Sequence, residues 1–152
     1  MDSNSIVEWN DRFLIGIPFI DKQHKHLVDI TNKLYVGCLK GDEEARAYFL
    51  RTIHEAVDYT KYHFLAEERL MHRIGYPELM SHKKQHEDFI REIIREVNSF
   101  GEGRKFVPNL FVRYLRDWVL THIAVSDKLY AVYIYTLKKQ GALESVTALQ
   151  SE

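Results

Sequence analysis

His63-Phe64-Leu65-Ala66-Glu67-Glu68-Arg69-Leu70 places an imidazole and a carboxylate four residues apart, with a leucine three residues further on. On an α-helix these three positions share one face, stacked turn upon turn. The same face extends back through Thr60, Ala56, Ile53 and Phe49, so His63 and Glu67 interrupt a stripe that is otherwise apolar or small. Spacing that alternates between three and four residues marks a helix buried along one side. The stripe points to the fold, and its interruption calls for a chemical reason.

Three further segments carry a stripe of the same period. The first reads Ile20, His24, Leu27, Thr31, Leu34, Cys38, with Asp21 placed to cap or charge the helix start. The third starts near Pro77 and reads Leu79, His82, His86, Phe89, Ile93, Val97, Phe100; the fourth starts near Pro108 and reads Phe111, Leu115, Trp118, His122, Val125. Proline suits a first helical turn, where its missing N–H costs no hydrogen bond. Gly41-Asp42, Gly75-Tyr76-Pro77 and the stretch from Gly101-Glu102-Gly103 to Pro108 separate the segments. Long helices joined by short connections favour antiparallel neighbours, so the expected fold is all-α, an up-down-up-down four-helix bundle. Residues 1–19 hold Trp9, Phe13 and Phe19 outside any helical stripe and are expected to form an ordered arm across the bundle. The bundle itself is expected over about 20–128, with a short C-terminal helix in an extension of about 129–152.

The whole chain sets bounds on function. Its 152 residues suit one domain. With 21 basic against 22 acidic residues, the formal net charge of -1 offers no footprint for nucleic acid or an anionic membrane. Cys38 stands alone, so no intrachain disulfide can form, and Met1-Asp2-Ser3-Asn4-Ser5 lacks the basic start and apolar core of a signal peptide. No apolar run reaches the roughly 18 residues that span a bilayer. A cytoplasmic monomer without membrane or nucleic-acid partners is therefore the expectation.

The eight histidines are the anomaly. His24, His63, Glu67, His82, His86 and His122 occupy stripe positions where leucine or isoleucine would be expected. Buried imidazoles must satisfy their ring nitrogens and a buried carboxylate must be paired, so six such groups in one core demand a common partner. A metal provides one. His63 and Glu67, like His82 and His86, are four residues apart and can chelate from one rigid face. His122 and Asp127 are five apart, a step of about 140° on a regular helix, so Asp127 can join only if the helix loosens locally, for instance into a π turn. Seven side chains exceed the four that a single zinc takes, and imidazole with carboxylate but no thiolate favours iron or manganese, with zinc still open. Two ions suit the count, because Glu67 and Asp127 can each bridge and the five histidines divide three to two. The ion with fewer histidines then keeps a position for a small exogenous ligand.

These residues also resemble a known family. Trp9, Ile20-Asp21-Lys22-Gln23-His24, His63-Phe64-Leu65-Ala66-Glu67-Glu68, Tyr76-Pro77, His82-Lys83-Lys84-Gln85-His86, and Trp118-Val119-Leu120-Thr121-His122 followed by Asp127 are similar, in order and spacing, to the motifs of the single-domain bacterial hemerythrins. The resemblance implies two iron ions cycling between ferrous and ferric, with His82, His86 and His122 on one and His24 and His63 on the other. Glu67 and Asp127 would bridge them beside an oxo or hydroxo group. It further implies reversible binding of dioxygen at the two-histidine iron, where small anions such as azide could also bind. No enzyme activity is expected.

Around the ligands the sequence is apolar. Phe64, Trp118, Val119 and Ile123 neighbour ligand positions, and Leu27 is one turn beyond His24, which predicts a dry pocket without a side-chain donor. Val119 departs from the leucine common among relatives and is expected to ease access. His26, His54 and His72 fall off the inward stripes and read as surface residues; Gln23 and Gln85 could orient ligands but read more simply as solvated, Glu68 as exposed or supporting a ligand, and Cys38 as a small buried hydrophobe. Oxygen carriage is the leading function. Sensing of oxygen, redox state or iron is its main rival, and an oxidase, peroxidase or nitric-oxide activity at the open iron is a third reading.

Overall fold

A computed structural model describes residues 5–39, 42–101 and 108–141. After a 3-10 turn in the arm (Asp11–Phe13), five α-helices follow one another among the described residues: α1 (Pro18–Cys38), α2 (Asp42–Arg73), α3 (Leu79–Gly101), α4 (Pro108–Thr121) and α5 (Lys128–Lys139). A six-residue π-helical turn, His122–Asp127, joins α4 to α5, so the fourth long helix runs on through Lys139. The short C-terminal helix is thus a continuation, and its Tyr130 and Ile134 are buried. The break at residues 40–41, the stretch 102–107 and residues 1–4 and 142–152 lie outside the described residues.

The four long helices form the expected all-α bundle, α1 packing against α2 and α4, and α2 against α3. Two large apolar clusters and a small third one, Leu27, Val119 and Ile123, fill it among the described residues. Leu34, Phe49, Ile53, Phe89, Ile93, Phe100, Phe111 and Leu115 belong to one, and Ile17, Ile20, Leu70, Met71, Tyr76, Tyr130 and Ile134 to the other. The polar stripe positions lie between these clusters in sequence on α1, α2 and α3. Large side chains such as these each contribute roughly 1.5–3 kcal/mol on full burial, which is ample to order helices that carry polar groups in mid-stripe.

Local chemistry accounts for the ends. Pro18 occupies the first turn of α1. At the close of α2, Tyr76 N–H donates to Met71 O at 2.9 Å and Gly75 N–H to His72 O at 3.1 Å, with Gly75 at φ 65°. Such a left-handed helix stop needs a residue without a Cβ. Asp21 does not cap its own helix. Its carboxylate is directed backward to accept from the backbone N–H of Ile15 and Gly16, at 2.8 and 3.2 Å, and so ties the arm to α1. Asn32 pins the arm further out, accepting from Ile6 and Val7 N–H and donating to Val7 O. The arm is ordered across the bundle, with Val7 and Ile17 buried.

Candidate metal centre

His24 from α1, His63 and Glu67 from α2, His82 and His86 from α3, and His122 and Asp127 from the π turn converge in the bundle interior, all buried. The donors sort into two sets that share both carboxylates: Glu67, Asp127, His82, His86 and His122 in one, Glu67, Asp127, His24 and His63 in the other. The sharing is resolved oxygen by oxygen. Glu67 Oε1 lies 3.1 Å from His24 Nε2 and 3.3 Å from His63 Nε2, whereas its Oε2 lies 3.1 Å from His86 Nε2. Asp127 Oδ2 lies 2.9 Å from His24 Nε2, whereas its Oδ1 lies 3.1 Å from both His82 and His122 Nε2. Each carboxylate therefore spans the two sets.

The residues fit cations. His122 Nε2 is 3.0 Å from His86 Nε2 and 3.1 Å from His82 Nε2. Ring nitrogens about 2 Å from one ion, on adjacent corners of its coordination sphere, are separated by about 3 Å. Glu67 Oε2 and both oxygens of Asp127 are buried without a hydrogen-bond donor in line. An uncompensated buried carboxylate costs several kcal/mol, and a bridged pair of cations would remove that cost for both.

Protons take up part of this role in the metal-free cluster. Burial opposes charge on His24 and His82, but the adjacent carboxylates of Asp127 and Glu67 outweigh it and raise both to about 9. His86 is raised, against its burial, by Glu67 and Glu68, while burial pushes His63 down. Burial works against ionisation of Glu67 and Asp127, yet neighbouring imidazoles hold both carboxyls below their usual range.

The π turn is what brings Asp127 in. A five-residue hydrogen-bond register turns the helix more slowly, so His122 and Asp127 reach one face. The same slippage rotates Val125 outward, and it is 57 % exposed rather than on the inner stripe expected of it. Two further side chains support the donors: Gln23, for which solvation is the simpler expectation, and Tyr130, which no stripe singles out. Gln23 is not merely solvated: its Oε1 accepts from His63 Nδ1 at 2.6 Å, which leaves the Nε2 lone pair facing the cluster. Tyr130, fully buried, donates its hydroxyl to Glu67 Oε1 at 2.9 Å, and burial with the nearby carboxylates keeps the phenol protonated. It stands three residues beyond Asp127, a spacing that becomes informative only after the π turn is placed. Glu68 Oε1 approaches His86 Nδ1 at 3.7 Å, and Gln85 accepts from the Ser126 hydroxyl of the π turn at 2.8 Å.

The model of the Hemerythrin HHE cation binding domain matches residues 15–134, a span holding every one of these donors. The chain belongs to the hemerythrin family. It is 34 % identical over 140 residues to the bacteriohemerythrin of Stenotrophomonas maltophilia (strain R551-3), covering 92 % of this chain and 89 % of that protein. With the bacteriohemerythrin of Pseudomonas aeruginosa (strain UCBPP-PA14) it shares 38 % identity over 119 residues, 78 % of this chain and 75 % of the relative. A crystal structure of wild-type hemerythrin superposes with a TM-score of 0.77 at 29 % identity, covering 84 % of this chain and 96 % of that one.

In this hemerythrin the predicted pocket residues gather beside the donors. Leu27, Phe64, Trp118 and Val119 line an apolar cavity of about 30 Å³, and Ile123 packs against Leu27 and Val119. Phe64 stacks on His86 at 3.8 Å between ring centroids, and Trp118 on His122 at 4.4 Å. His26, His54 and His72 are exposed, as the stripes predict, and Cys38 is half-buried against the apolar cluster. No helix among the described residues is long and apolar enough to cross a membrane.

Proposed function

We propose that this single domain holds two iron ions through His24, His63, Glu67, His82, His86, His122 and Asp127, and that the centre binds dioxygen reversibly for storage, transport or delivery. The observation that carries the reading is the unequal division of donors. The His24 and His63 side has one donor side chain fewer, so an ion there retains a position for a small ligand such as dioxygen or azide. Iron supplies the reversible exchange of electrons with dioxygen. The chain's own residues do the remainder. Five neutral imidazoles against two carboxylates keep anionic charge on the centre low, which favours release of the ligand over its activation. Leu27, Phe64, Trp118, Val119 and Ile123 form an apolar wall that excludes water. Gln23 holds the His63 ring in the tautomer whose Nε2 faces the cluster.

The test is anaerobic reconstitution with ferrous iron, then admission and removal of air while the visible spectrum is recorded. A charge-transfer band that comes and goes with air, at two irons per chain, is the expected result. Immediate irreversible oxidation would overturn carriage in favour of sensing or catalysis at the same centre. Retention of one ion, or of zinc alone, would overturn the di-iron assignment.

A further inference from the structure

Between α1 and α2 lies a half-open groove of about 800 Å³, far larger than the cavity beside the centre. Small-molecule sites occupy roughly 300–1,000 Å³. The two helices run antiparallel, so the lining is sorted along its length. At one end, where Phe19 packs with Leu70, the walls carry Lys22 from α1 and Arg69 and Arg73 from α2. At the other end the His26 ring lies 4.2 Å from that of Tyr59, and Tyr59 lies 5.8 Å from Tyr62, which is 60 % exposed. Asp29, the one carboxylate of the lining, falls at this aromatic end and away from the arginines.

Two chemistries are thus held apart at a fixed distance. Lys22 and Arg69 have no carboxylate partner among the described residues, and they line the groove from different helices, α1 and α2. Ammonium and guanidinium groups lining one groove in this way suit a multiply charged anion, and the guanidinium fork matches phosphate oxygens in pairs. Tyrosine and histidine rings offer faces and edges to a planar ring. From Tyr62 to Arg69 the helix rises by about 10 Å, a span that a ring joined to a phosphate by a short linker can bridge.

We propose that this groove binds a planar heteroaromatic phosphate, its ring against His26, Tyr59 and Tyr62 and its phosphate between Lys22 and Arg69. Gln23, which accepts from His63, is also in the wall, so an occupant would touch the residue that orients a member of the donor cluster. The proposal stands on the groove alone and is independent of what the centre binds.

Flavin mononucleotide is the probe, titrated into the full-length protein while quenching of its fluorescence is followed. Riboflavin and inorganic phosphate supply the ring and the anion separately. Saturable quenching is expected, with riboflavin at least about tenfold weaker, a difference of about 1.4 kcal/mol. Lys22→Glu with Arg69→Glu should weaken flavin mononucleotide by a similar factor, and Tyr59→Ala with Tyr62→Ala should also weaken it, circular dichroism showing unchanged helix content. No saturable quenching up to about 1 mM, equal binding of riboflavin, or binding indifferent to both double variants in their folded form would overturn the proposal.

Discussion

The two halves of the metal centre are built differently. On the three-histidine side, His82 and His86 stand one turn apart on α3 and His122 lies on the adjoining helix, with Phe64 stacked on His86 and Trp118 on His122. Two of the three imidazoles are covered by aromatic faces, and the Nε2 of His122 stands about 3 Å from those of His86 and His82. The two-histidine side draws His24 and His63 from separate helices and steadies its shared carboxylate oxygen with Tyr130 and its His63 with Gln23. Rigid multidentate donation favours retention of an ion, whereas fewer donors favour exchange at an open position.

Removing the feature common to both halves should have the largest effect. Glu67→Ala is expected to abolish binding at both positions, with metal content per chain falling from two towards zero by elemental analysis. His63→Ala should instead leave one ion, on the three-histidine side; loss of both would show that the halves are not separable. Stripping the metal from the native protein should remove stability of about 4 kcal/mol or more if the ions are held a thousandfold below their working concentration. Equal urea midpoints with and without chelator would contradict this.

Smaller changes sharpen the contrast. Gln23→Leu leaves the His63 Nδ1 unpaired and should weaken the two-histidine position roughly 10–100-fold, with little change at the other, as competition with a chromogenic chelator would reveal. The metal-free protein should show a pH dependence of definite sign. His24 and His82, raised to about 9, contribute stability that is complete below about pH 6.5 and is lost as pH rises through about 9. Glu67 and Asp127, held low, contribute above about pH 4 and lose it on acidification. Chelated protein should therefore unfold at progressively lower urea between pH 6.5 and 9. Val119→Leu, which narrows the wall beside the two-histidine half, should have the smallest effect, slowing azide entry severalfold without altering metal content.

Most of the bundle could be read from the stripes because a buried helix face repeats with the backbone's own period. His24, His63, Glu67, His82, His86 and His122 were legible for the same reason, as polar groups at positions where burial predicts leucine. Asp127 needed a departure from that period, and the spacing signalled the departure without specifying its form. Tyr130 was not legible, and Gln23 was legible only as a side chain that could orient a ligand, without its partner. Each acts on a residue of another helix, at separations of 40 and 63 residues, and no local pattern records such a pairing. Asp21 reads as a cap or a charge at the helix start; it is the acidic residue of the first turn, but its carboxylate accepts from two backbone donors of the arm and does not cap.

By itself, then, the sequence determined the helices, their inward faces and the kinds of donor on them, since these follow from periodicity and from the cost of burying unpaired polar groups. The tertiary structure alone decided which carboxylate oxygen faces which set of histidines, that the π turn carries Asp127 inward and Val125 outward, and that Gln23 and Tyr130 hold their partners. Those outcomes depend on how the helices are placed against one another in three dimensions, and helical periodicity carries no information about that placement.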